Sequence, residues 1–216
     1  MKFNHVNSVK FQKLDKVEGP SGRFYITPEG FHYPSITTIL GATADKSGLI
    51  AWRNAVGERE AERVSRSAAG RGTRIHKYLE DYLDNKEVSG LSYIDKPQFD
   101  SITPVLDKYV NNIWSQESHL YSHHLKLAGQ VDCIAEFLSK LAVIDFKTSK
   151  RIKDRSEITD YFLQSTFYAL AFQELTGVKI SYIVILIIVD FDKPQIFVEK
   201  VSDYMDLLIK RRKSYE

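Results

Sequence analysis

The sequence predicts an α/β domain, and three observations carry that expectation. Two apolar-rich segments, residues 128–137 and 141–148, face each other across a turn at Leu138 to Lys140, and each bears an acid. A stretch of helical character over 158–175, stopped by Gly177, joins them to the most apolar run of the chain, residues 180–189. The N-terminal half instead carries mainly helical spacing. We therefore expect one domain over 1–216, with an N-terminal hairpin and helical part (1–116) and an α/β core (117–216).

Taken in order, Arg23 to Ile26 and Phe31 to Tyr33 flank a Pro-Glu-Gly turn and read as a short hairpin. Pro34-Ser35 then offers an N-cap for a small helix through Ile39 and Leu40. Leu49, Trp52, Val56 and Val64 fall at helical spacing, which predicts a helix over 49–69 and core packing for Trp52. Gly70-Arg71-Gly72 reads as punctuation before a second helix with Ile75, Tyr78, Leu79 and Tyr82. A helix over 99–114 follows, in which Pro104 is tolerated near the start or at a kink. Strands are expected at 118–124, 128–137, 141–148, 180–190 and 195–201, and a last helix at 203–212. His119, His123 and His124 match no metal-ligand spacing and are expected on a strand surface.

Composition narrows the class. With 43% hydrophobic residues and a net charge of +2 the chain can bury a core and is not disordered by composition. A single cysteine, Cys133, excludes an internal disulfide framework or a four-cysteine zinc or iron–sulfur site, so we expect no iron–sulfur cluster and a reducing, cytoplasmic setting. The apolar run is about half the ~20 residues that span a bilayer, and the polar first residues lack an apolar leader, so no membrane partner is expected. Charge is uneven. Seven basic residues against three acids between Arg53 and Lys77, and five against one between Lys147 and Arg155, suit a polyanionic partner or a merely solvated face.

The chemistry concentrates in the two acid-bearing strands. A two-residue turn at Ser139-Lys140 would set Asp132 opposite Lys147 and one pair from Asp145. A four-residue turn would set Asp132 directly opposite Asp145, and an odd loop would separate them by face. Close carboxylates repel and are best tolerated around a divalent cation, here Mg²⁺ or Mn²⁺, with a lysine at hand to orient water. On spacing alone, an ordinary surface hairpin with an Asp–Lys cross-strand pair stays equally open.

At these residues the sequence resembles the PD-(D/E)xK nuclease superfamily, with Asp132 as first acid and Asp145-Phe146-Lys147 as the (D/E)xK element. His76 and Glu80 resemble the helical histidine motif of its RecB-like branch, Gln164 and Tyr168 its downstream Gln-x-x-x-Tyr helix, and Glu117 an additional upstream acid. Pro34 to Leu40 and Asp145 to Lys150 also have counterparts in the mitochondrial genome maintenance exonucleases and related bacteriophage exonucleases.

The resemblance implies a restriction-endonuclease-like core, a mixed central sheet flanked by helices, and metal-dependent DNA hydrolysis. It implies catalysis by Asp132, Asp145 and Lys147, with His76, Asp132, Asp145, the Phe146 carbonyl and Glu117 around Mg²⁺ or Mn²⁺. Gln164, Tyr168, Ser35, Thr37, Arg63, Arg66, Arg71, Arg74 and Lys150 would support the site or contact DNA. The substrate expected is single-stranded DNA with free ends, and a recombination or single-strand-binding protein is a candidate partner. A structure-selective endonuclease and a non-catalytic DNA-binding accessory protein are the alternatives.

Overall fold

The computed structural model describes residues 3–6 and 9–215. It opens with a small antiparallel sheet of β1 (Asp15–Gly19), β2 (Gly22–Ile26) and β3 (His32–Pro34). The last two are the expected hairpin; β1 was not anticipated. Helix α1 (Ile36–Thr43) follows, with Ser35 as N-cap accepting from the Thr38 N–H.

The next helices differ from the sequence-based boundaries. α2 (Ser47–Val56) ends at Gly57, whose φ of 83° glycine adopts without strain, and α3 (Glu58–Leu83) then runs unbroken through Gly70 and Gly72. Two interior glycines cost about 1 kcal/mol each relative to alanine. The burial of Ile75, Tyr78, Leu79 and Leu83 beyond them outweighs that cost. α2 buries none of its residues, so Trp52 is not a core side chain. α4 (Lys96–Tyr109) holds Pro104 in its interior and stops at the start of β4 (Val110–Ser122), eight residues before the expected strand.

β4 pairs with β5 (Leu127–Phe137), and β5 with β6 (Lys140–Ser149). α5 (Thr159–Thr176) then crosses to β7 (Tyr182–Val189), which lies parallel to β6 as such a connection requires. β8 (Gln195–Lys200) closes the mixed five-stranded sheet and α6 (Met205–Lys213) ends the fold.

β7 shows why its sequence is continuously apolar: both faces are covered. Ile183, Ile185 and Ile187 pack with α1, α5 and α6, and Val184, Leu186 and Ile188 with α3 and α4. On β5 the alternation slips. Val131 belongs to the first core and Cys133, two residues on, to the second, so the backbone turns over at Asp132.

The β5–β6 turn is neither arrangement weighed from sequence. Phe137 pairs with Lys140 around Leu138-Ser139, whose φ values are 51° and 62°, the geometry of a type I′ hairpin without its usual Asn-Gly. The register that results is the one placing Asp132 across from Asp145. Because Leu138 is exposed, the double change Leu138→Asn, Ser139→Gly should relieve strain and stabilise the domain by about 1 kcal/mol. That corresponds to a Tm rise of about 2–4 °C in a thermal melt, whereas a lower Tm would contradict the turn geometry.

Candidate active site

Three carboxylates line up across three neighbouring strands. Gln116↔Cys133 and Ser118↔Val131 put Glu117 of β4 across from Asp132 of β5, and Cys133↔Ile144 puts Asp132 across from Asp145 of β6. The β5–β6 ladder stops at this point. There Asp132 Oδ2 accepts the Phe146 N–H at 2.8 Å, a side chain replacing a backbone partner. Glu117 adopts φ 47° in mid-strand, a strained conformation for a non-glycine residue.

His76 arrives on α3. Its Nε2 lies 2.7 Å from the Phe146 carbonyl oxygen, which can only accept, so Nε2 carries the proton. In the neutral ring Nδ1 is then the free lone pair, and it faces Asp132 Oδ1 at 3.6 Å. Ligand atoms of His76, Glu117 and Asp132 lie within 4.8 Å of one another. The Phe146 carbonyl, implied as a metal ligand by resemblance, is here the acceptor that orients His76.

Asp145 stands slightly apart from this trio. Its carboxylate is buried, the Lys147 ammonium rests against Oδ2, and neither oxygen has a well-directed hydrogen bond. Burial, and the charge of Asp132, push Asp145 above the ordinary carboxylate range against the pull of Lys147. Burial works against the Lys147 ammonium too, but Asp145 and Asp132 outweigh it and keep the lysine charged. The ammonium also sits 5.0 Å from the Tyr161 ring centroid. Glu117 is pushed up to about 7, by burial first and then by Asp132 and Glu80. Sealed, underbonded oxygens beside an imidazole lone pair form a donor set that fits a hard divalent cation such as Mg²⁺ or Mn²⁺.

A cavity of about 360 Å³ adjoins the acids. His76, Glu117, Asp132, Gln164, Tyr168, Ser35 and Thr37 all line it, so most of the residues singled out from sequence converge there. Ser35 Oγ is engaged in capping α1. Gln164 Nε2 reaches the Tyr168 hydroxyl at 3.4 Å, and the Tyr168 ring passes under Gly129, where an added Cβ would lie 2.8 Å from the ring. That glycine is a requirement of close approach.

Two neighbours were missed. Gln130 Nε2 donates to Glu117 Oε2 at 2.7 Å, and its Oε1 accepts from Lys16 Nζ at 2.7 Å. The position of Gln130, two residues before Asp132 on one strand, was a usable signal. Lys16 had none, since only the docking of β1 brings it there. His119 also departs from expectation. Rather than lying on the surface it is buried beside the Tyr25 ring, and its Nδ1 accepts the Leu14 N–H at 2.7 Å.

The arginines do not gather at the metal-binding side. Arg63 pairs with Glu60, Arg66 lies 4.0 Å from Glu62, and Arg74 pairs with Asp95. Arg71 joins α3 to Asp190 at the end of β7, and Gln98 of α4 donates to the same carboxylate. Lys150 is exposed at the end of β6.

Fold and site together define a nuclease domain: residues 111–210 match the PD-(D/E)XK nuclease superfamily and form a domain of that type. The chain is 29% identical over 144 residues to mitochondrial genome maintenance exonuclease 1 of Homo sapiens, covering 62% of this chain and 40% of the relative. The Mus musculus protein of that name is 30% identical over 129 residues, covering 56% and 38%. The chain thus spans about two-fifths of these relatives. A crystal structure from Eubacterium rectale aligns over 67% of this chain and 68% of its own at 13% identity and a TM-score of 0.40.

Arg71 and Asp190 are both mostly buried, so truncating one strands the other. Arg71→Ala should cost about 3 kcal/mol in urea denaturation, with much of the loss recovered by adding Asp190→Asn. An unchanged midpoint would free Arg71 for a ligand-binding role.

Proposed function

We propose that this chain is a Mg²⁺- or Mn²⁺-dependent exodeoxyribonuclease that acts from free ends of single-stranded DNA in replication, recombination or repair. The observation that carries the reading is the row Glu117–Asp132–Asp145 with Lys147 against its buried end. A binding module has no use for three opposed acids, since like charges across a strand pair are destabilising. The superfamily match and the relatives named as exonucleases support it.

In this reading Asp132, Glu117, Asp145 and His76 Nδ1 hold the ion, while the Phe146 N–H and carbonyl orient Asp132 and His76. A bound Mg²⁺ or Mn²⁺ supplies charge neutralisation at the phosphoryl oxygen and makes water a stronger acid. Lys147 holds the attacking water and stabilises the negative charge that develops on the phosphoryl oxygens. Gln164 and Tyr168 wall the cavity, and Gln130 with Lys16 holds the Glu117 carboxylate. The site lies beneath α3, which makes a covered approach and favours a flexible strand entering by its end. No helix among the described residues is long and apolar enough to cross a membrane, and the buried thiol of Cys133 suits a reducing compartment such as the cytoplasm.

The test is a gel assay with end-labelled linear single strands, blunt duplex and covalently closed single-stranded circles, with Mg²⁺, Mn²⁺ or chelator. Linear single strands should be degraded fastest and circles should resist. Asp132→Asn and Asp145→Asn should retain less than about 1% of activity, a larger loss than removing a residue that merely supports a ligand. Efficient cutting of circles would favour the endonuclease. Full activity in chelator, or in either variant, would end the metal mechanism.

Gln130 gives an independent check on the ligands. Gln130→Leu should weaken Mn²⁺ binding, measured by calorimetry, by roughly 10-fold. In a Glu117→Gln background the same change should have little further effect. Full additivity would separate the two residues.

A further inference from the structure

The largest concavity of the molecule, about 1820 Å³, belongs to none of the machinery above. It lies between the first half of α3, the start of α4 and the β7–β8 turn. Ser67, Gly70, Arg71 and Arg74 of α3 line it, while Thr73 and His76 line the metal-side cavity and Ile75 and Leu79 are buried between. α3 therefore has the acid cluster on one flank and this groove on the other, about one helix diameter, roughly 10 Å, apart.

Two features set the groove's chemistry. Its charges are largely spent within the protein, since Arg63, Arg71 and Arg74 are paired with Glu60, Asp190 and Asp95. It is therefore a poor track for phosphates. Its rim, by contrast, is apolar and bare. Phe191 is fully exposed, Ile94 is 74% exposed and Val56 is exposed as well. Phe191 also adopts φ 59°, which is unfavourable for a bulky side chain. The turn carrying it is anchored, because the Asp190 carboxylate takes Arg71 and Gln98 and the Asp190 N–H donates to the Ser149 carbonyl at 2.9 Å. A strained backbone thus holds a free aromatic face at a groove mouth.

We propose that this groove is a stacking subsite for unpaired DNA bases, with Phe191 as its platform. The proposal rests on the nuclease reading and adds where the strand lies beyond the cut. Recognition runs through base faces, so it is tolerant of sequence and, at this position, nearly independent of salt. Duplex, whose bases are already stacked on each other, gains nothing from it.

The test uses the full chain in chelator, so that nothing is cut, with a fluorescein-labelled single strand read by anisotropy. Phe191→Ala should raise Kd by roughly 5- to 100-fold without changing the slope of log Kd against log salt, and leave duplex binding unaltered. Phe191→Trp should keep wild-type affinity, and its added indole emission should be quenched by the strand. Metal-dependent cleavage by the wild type together with unchanged single-strand affinity in Phe191→Ala overturns the subsite and leaves the nuclease standing. A wild type that neither binds nor cuts DNA overturns both. If Phe191→Ala instead changes only the sedimentation of the chain, the groove is a self-association face and the proposal fails.

Discussion

Mutual repulsion among three carboxylates is the constraint around which this fold is arranged. Strand pairing places Glu117, Asp132 and Asp145 opposite one another, and in water such a row would splay or protonate. Each acid has a separate counterweight. Asp132 has the Phe146 N–H, Asp145 the Lys147 ammonium, and Glu117 the Gln130 amide backed by Lys16. These partners come from β6, from β5 and from the distant β1, so the electrostatics of a few atoms tie together both sheets.

The backbone shares the cost. Alternation slips at Asp132, Glu117 holds a left-handed conformation, and the β5–β6 ladder ends where the acids meet. Local irregularity of this kind lets side chains from three strands converge on one point, which an ideal pleated sheet, with neighbouring strands nearly 5 Å apart, does not permit. Strained residues persist when the surroundings over-determine them, and here the buried cores on either side of the sheet do so.

What was legible in the sequence follows from the range of the interactions. The two acid strands, α5 and β7 could be read because periodicity and apolar runs are local properties of the chain. The acids themselves were visible, and the structure brings His76, Glu117 and Asp132 together. The turn register was not, since Leu138-Ser139 lacks the glycine or asparagine that marks a type I′ turn. The continuity of α3 through Gly70 and Gly72 was hidden because tertiary burial, not propensity, decides it. Arginine counts also misled. Arg71 and Arg74 looked available for phosphate, whereas their carboxylate partners lie 119 and 21 residues away in sequence.

The placement of α3 has a consequence for how the molecule comes into being. The superfamily match begins at residue 111, yet one whole face of the sheet, including Cys133, Ile144 and Leu186, is covered by α3 and α4, which lie before it. A segment cut at that boundary would expose the apolar face to water and would lack the only imidazole in the acid cluster. The recognisable unit is therefore not the cooperative one. Assembly has to wait for contacts spanning dozens of residues, a topology of high contact order in which the site is completed among the last events of folding rather than carried by an independently stable core.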